Sequence, residues 1–281
     1  MTVHKRVVRS YRLPPGRIVR RARGRYLYDQ NGTRYLDIWL ADGTAFLGHR
    51  PGGYGRLVKE ETDRGLWSPF PTQWPARLGR ALDDLARVAG CDTGTFLISN
   101  GRFSPDLPGG RGRWLPAGPL LSRKHDGGDG ETDPSATEIE VVLPAPGVIV
   151  PDRAVPEELP AVSAALLTWA ARTLVRYLRS DECTRRKDAA RTLPVPPGYF
   201  REGVWFIPEV LQKELAGNTV SGDSSEKEES FRLQQWEQRR GSALECGILV
   251  PPDPWTPLVV PDDVQSTDRR SWERMCHEWS R

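Results

Sequence analysis

The sequence predicts a mixed α/β fold, and three stretches carry that prediction. Residues 34–40 alternate Leu36, Ile38 and Leu40 against Tyr35, Asp37 and Trp39, the period of a strand with one buried face. Residues 74–89 place Leu78, Leu82, Leu85 and Ala89 at spacings of four, three and four, the period of an amphipathic helix. The last third repeats this mixture: 231–246 reads as a helix, 247–251 and 257–261 as strands, and 267–279 as a closing helix.

Taken in order, residues 26–28 form a short aromatic strand that Asn31-Gly32 turns back onto 34–40, giving a β-hairpin. Asp42, Gly43 and Thr44 then open an irregular loop that closes on Gly48-His49-Arg50-Pro51. Pro51 cannot sit inside a strand, and the two glycines after it delay the next helix. On the helix at 74–89, Arg77, Arg80, Asp83, Asp84 and Arg87 face outward, and Gly90 ends it. Residues 95–99 read as a short buried strand that runs into Asn100-Gly101. From 101 to 137, 13 of 37 residues are Gly or Pro, with neither period. Strands are expected at 137–142 and 147–150, and a helix at 156–178 with Leu167, Ala170, Leu174 and Leu178 opposite Arg172, Arg176 and Arg179. A strand at 199–207 and a short helix from Pro208 follow. The organisation is therefore a basic arm at 1–25, a first folded segment at 26–100, a loop at 101–137, a reduced central region at 138–216, a polar linker at 217–230 and a last segment at 231–281.

Composition narrows the function classes. With 281 residues, 38% hydrophobic, and a mean hydropathy of −0.54, the chain reads as a soluble globular protein. No 18-residue apolar run exists and the first 30 residues lack an apolar signal core, so no membrane segment and a cytoplasmic location are expected. Cys91, Cys183, Cys246 and Cys276 are too scattered for a disulfide framework or a zinc site, and His4, His49, His125 and His277 form no metal set. Metal ligands are therefore none. The net charge of +3 conceals an asymmetry: Lys5, Arg6, Arg9, Arg12, Arg17, Arg20, Arg21, Arg23 and Arg25 precede the first acid, leaving 31 basic against 37 acidic residues in the remainder. Residues 4–25 could neutralise phosphates of a nucleic acid, but no base-reading motif accompanies them, and pairing with the acidic body of the protein itself is the favoured use.

The stretch 24–51, with its hairpin, Gly-bearing loop and Gly-His-x-Pro, resembles the opening of the class III pyridoxal-phosphate-dependent aminotransferases of fold type I. Residues 247–251 after a helix resemble the C-terminal small domain of the same family. The resemblance implies an aminotransferase-like small domain built from both chain ends, with a reduced, loop-rich central sheet region. It also implies a symmetric homodimer and a small amino-acid-like ligand. By resemblance, Gly48 and His49 belong to a loop at the mouth of the substrate site. Ser99, Asn100 and Gly101 match the turn that holds the cofactor phosphate. Asp106, ahead of the Gly/Arg-rich run 109–113, matches the acid on the pyridine nitrogen, and Lys124, ahead of Gly127-Gly128, matches the lysine that carries the cofactor.

A transaminase needs that lysine, that acid and an anion site together. Here Arg102, Phe103, Ser104 and Pro105 follow the turn in place of a helix start, and only 18 residues separate Asp106 from Lys124. A few dozen residues stand where the family has its large cofactor domain. Three readings follow: a catalytically degenerate relative serving as a binding or regulatory protein, without bound pyridoxal phosphate; a compact active pyridoxal-phosphate-dependent aminotransferase using Lys124 and Asp106; and a nucleic-acid-binding protein acting through residues 4–25. The missing cofactor domain favours the first.

Overall fold

The computed structural model describes residues 18–41, 43–65, 72–90, 95–98, 113–114, 120–124, 137–141, 143–145, 148, 154–209, 226–260 and 264–281. The fold is mixed α/β. A first sheet holds strands β1 (Val19–Arg23), β2 (Tyr26–Asp29) and β3 (Arg34–Asp37) as an antiparallel meander. Its fourth strand is β10 (Ile248–Leu249), parallel to β3 with Ile248 opposite Leu36 and Leu249 opposite Asp37. The two chain ends therefore share one sheet. Tyr26 strengthens the join by donating its hydroxyl to the buried Asp268 carboxylate at 2.7 Å, from the helix at the other end of the chain.

The described part of the basic stretch joins the fold: residues 19–23 form the edge strand β1, with Arg21 stacked over Tyr28 at 4.1 Å. The hairpin turn is wider than Asn31-Gly32 alone. Asp29 Oδ1 accepts from the backbone N–H of Asn31 at 2.9 Å and of Thr33 at 2.8 Å, so the carboxylate takes over part of the turn and only Gly32 adopts a positive φ, of 84°. Strand β3 also stops at Asp37, three residues short of the expected end, for a reason that belongs to the site below.

Helices α1 (Tyr54–Asp63) and α2 (Trp74–Ala89) come next, and α2 has the bounds its periodicity gives, closed by Gly90 in the left-handed conformation. A second sheet has the order β4 (Thr95–Ile98), β7 (Thr137–Val141), β6 (Leu120–Lys124), β5 (Arg113–Trp114); β4 and β7 are parallel, β6 runs antiparallel to both its neighbours. The expected strand at 147–150 lies largely outside the described residues. The expected helix at 156–178 is divided: a 3-10 turn at Pro156–Glu158, then α3 (Ala161–Leu178). Leu159 is extended because it precedes Pro160, whose ring disfavours a helical residue before it.

Helix α4 (Asp181–Thr192) is not apparent from the sequence, since its one buried stripe is Cys183, Arg186 and Ala190. The single strand expected at 199–207 is a hairpin, β8 (Tyr199–Glu202) and β9 (Trp205–Pro208), folded at Gly203 with φ 60°. Helix α5 (Glu226–Glu245) begins inside the stretch read as a linker, and β11 (Leu258–Val259) pairs with β9. Helix α6 (Ser266–Trp279) closes the chain.

Strand β9 separates two apolar cores. Trp205 and Ile207 face a core built by Leu78, Leu82 and Leu85 of α2 and Leu167, Ala170 and Leu174 of α3. Phe206 faces the other way, into Leu36, Ile38, Ile248, Trp236, Trp272, Met275 and Trp279. Alternation of side chains along a strand makes one strand serve both. The indole N–H groups of Trp236, Trp272 and Trp279 reach the carbonyls of Pro251, Pro194 and Arg239 at 3.1, 2.9 and 3.0 Å, so these three buried indoles keep their donors satisfied.

Candidate functional site

The loop between β3 and α1 is held by one carboxylate. Asp37 ends β3 and is 1% exposed. Its Oδ1 accepts from the backbone N–H of Trp39 and of Leu40, both at 2.9 Å. Those two bonds break the strand and hold Leu40 and Ala41 at φ 52° and 50°, a conformation that costs a non-glycine residue about 1–2 kcal/mol. Its Oδ2 lies 2.7 Å from His49 Nε2. With Asp37 ionised, Nε2 donates this hydrogen bond.

The far end of the loop is tied to the β1–β2 turn. His49 N–H donates to Gly24 O at 2.8 Å. Gly48 sits at φ 92°, and a Cβ there would meet Gly24 O at 3.2 Å, so a glycine at 48 suits the close approach of the backbones. Phe46, fully buried, fills the centre of the loop, edge-on to Tyr177 at 5.5 Å and stacked on Trp205 at 5.7 Å.

Beneath this loop lie two buried guanidinium groups. Arg25 is 6% and Arg186 0% exposed. Both direct Nη1 at the carbonyl oxygen of Phe46, from 3.5 and 3.2 Å. Arg186 Nε donates to Val260 O at 2.6 Å, its Nη1 lies 3.5 Å from the Tyr177 hydroxyl, and its guanidinium stacks on the Phe46 ring at 4.1 Å. Burial and the neighbouring charge of Arg186 hold the pKa of Arg25 well below the arginine range. Burial lowers that of Arg186 too, with the Tyr177 hydroxyl opposing. Burial raises that of Tyr177, against the pull of Arg186. Neither arginine gives up its proton near neutral pH, so the loop rests on two positive charges.

Chemically, an Asp–His pair is the base half of a catalytic dyad, yet among the described residues no Ser, Thr or Cys side chain is hydrogen-bonded to His49. No group of three or more His, Cys, Asp or Glu able to hold a metal is found among the described residues, and Cys183, Cys246 and Cys276 are buried free thiols. Cys276 and His277 point in different directions from α6, the first buried and the second exposed. A separate cavity of about 510 Å³ lies between α1, α2 and α3, lined by residues that include Trp74, Trp169, Asp84, Arg172 and Arg176.

Of the residues expected at a cofactor site, Gly48 and His49 stand as described, while Ser99, Asn100, Gly101 and Asp106 lie outside the described residues. Lys124 is the last residue of β6, paired with Thr137, at the end of the sheet where β4 begins. The residue after which the Ser99 turn starts, Ile98, pairs with Val141, whose other partner is Leu120, at the opposite end. Strand geometry separates the Ile98 and Lys124 α-carbons by roughly 13 Å along the strands and about 10 Å across two strand spacings. Among the described residues, Lys124 and the exit of β4 therefore stand at opposite ends of the sheet. Arg25 and Arg186 have no signal in the sequence beyond their charge; only the buried stripe of α4 would have drawn attention to the second.

No family model matches the chain. Over 55 residues, 20% of either protein, it is 51% identical to an uncharacterised protein of Borreliella burgdorferi. Over 64 residues it is 44% identical to an uncharacterised protein of Treponema pallidum, covering 23% of this chain and 21% of that one. Over 64 residues it is also 38% identical to a glutamate-1-semialdehyde 2,1-aminomutase of Methanothrix thermoacetophila, covering 23% and 15%. The matches span about a fifth of the length of these curated relatives. Among solved structures, it is similar to an omega-transaminase from Sphaerobacter thermophilus (12% identity, 96% of this chain and 92% of that one, TM-score 0.47) and an ornithine aminotransferase from Plasmodium yoelii (11%, 97% and 95%, 0.45). At these levels the superpositions carry no functional argument.

Proposed function

We propose that this protein is a catalytically degenerate relative of the class III pyridoxal-phosphate-dependent aminotransferases that serves as a binding or regulatory protein. The observation that supports this reading is the register of the second sheet: Lys124 and the exit of β4 stand at opposite ends. What the chain retains is the hairpin, the Asp37–His49 loop and the closure of the first sheet by β10, which together support a recognition surface; the homodimer rests on the resemblance.

The test is direct. Purified protein mixed with pyridoxal phosphate is expected to show no saturable Schiff-base absorbance, and borohydride reduction with peptide mapping no stoichiometric adduct at Lys124. An adduct there, abolished by Lys124→Ala, would establish the compact enzyme instead. Light scattering on the same sample reports whether it is a dimer.

A further inference from the structure

The two N–H bonds of Arg186 Nη2 are buried and have no partner among the described residues, although Nε and Nη1 of the same group are fully engaged. An unsatisfied buried donor is costly, and a buried charge with no counter-charge costs more. The acid that acts on Arg186 is Glu182, exposed one turn earlier on α4 and without a hydrogen bond to it among the described residues. A water molecule would satisfy the nitrogen but leave the charge in place. An anion would do both.

We propose that Nη2 of Arg186 is the floor of a buried binding site for a small carboxylate monoanion, with Arg25 supplying the second positive charge. Two N–H groups on one terminal nitrogen suit one or two acceptor oxygens, and a carboxylate monoanion costs less to desolvate in a buried site than a doubly charged phosphate. The neighbours suit a small ligand: the guanidinium lies 4.1 Å over the Phe46 ring and 5.9 Å from the Tyr177 ring, and Arg25 is itself buried. The site depends on neither Lys124 nor pyridoxal phosphate, so loss of one function leaves the other testable.

Calorimetric titration of the full chain with sodium formate, sodium acetate, sodium chloride and sodium phosphate, at constant ionic strength, reads this out. Formate and acetate should bind saturably and, at a hundredfold excess over Kd, raise the thermal midpoint by about 5 °C. Chloride and phosphate should bind at least tenfold more weakly. Arg186→Gln should weaken acetate binding tenfold or more. Should that variant fail to fold, Arg25→Gln, which removes one of the two charges and leaves Nη2 in place, should weaken it as well. No saturable heat with the wild-type protein, equal effects of all four salts, or unchanged acetate affinity in a folded variant would each overturn the assignment and leave water as the occupant.

Discussion

Asp37 uses its two oxygens for different purposes: one bends the chain out of β3, the other fixes His49. Asp37→Ala removes an acceptor for two backbone N–H groups and a partner for a half-buried imidazole, and should cost about 2–4 kcal/mol in urea unfolding. Gly48→Ala acts on the backbone alone. A positive φ and a 3.2 Å approach to Gly24 O should cost about 1–3 kcal/mol with an unchanged urea m-value. An effect of either below about 0.5 kcal/mol would show that the loop is not held in this way. Gly48 and His49 were legible because glycine and proline punctuate a sequence. Asp37 was not, since in an alternating strand an aspartate occupies the position of a solvent-facing residue, and nothing local shows that its carboxylate turns back onto the chain.

At the scale of elements, legibility followed the contrast between faces. Helix α2 has leucines on one side and charges on the other, so its period set its bounds, whereas α4 buries an arginine in the middle of its stripe and shows no such contrast. Strands β8 and β9 merged into one because Gly203, which makes the turn, reads like any glycine within a run of aromatics. Glu226 and the residues after it read as linker because charge alone does not distinguish a helix from a coil. Leu82 of α2, fully buried between α2 and α3, is the natural probe of the first core: Leu82→Ala should cost about 2–5 kcal/mol, measured by urea or thermal unfolding. A loss under about 1 kcal/mol would mean that α2 does not pack as described.

Across the whole molecule, buried groups that must stay protonated set the response to alkali. Burial pushes both the Tyr54 hydroxyl and the Cys276 thiol up to about 12, and raises Tyr177. Each holds its proton more tightly in the folded than in the unfolded chain. The stability each confers is whole below the unfolded values, about 8.5 for the thiol and about 10 for the phenols, and is lost as pH climbs toward the folded ones. The thermal midpoint should therefore be flat from about pH 7 to 8.5 and fall above about pH 9. A midpoint still level at about pH 10.5 would contradict this. Cys276, buried beside Pro194 O, should react with a disulfide reagent at about pH 8 more than tenfold slower than a free thiol.

Because Leu36 and Asp37 find their parallel neighbours in Ile248 and Leu249, the first sheet to be synthesised is completed only by residues far along the chain. On the ribosome, the open side of β3 must wait for about two hundred further residues before its mate emerges. Closing so wide a loop slows folding more than it weakens the folded state. During that interval the bare strand is a template for unwanted neighbours, so this protein should depend on chaperones during translation more than its modest size suggests.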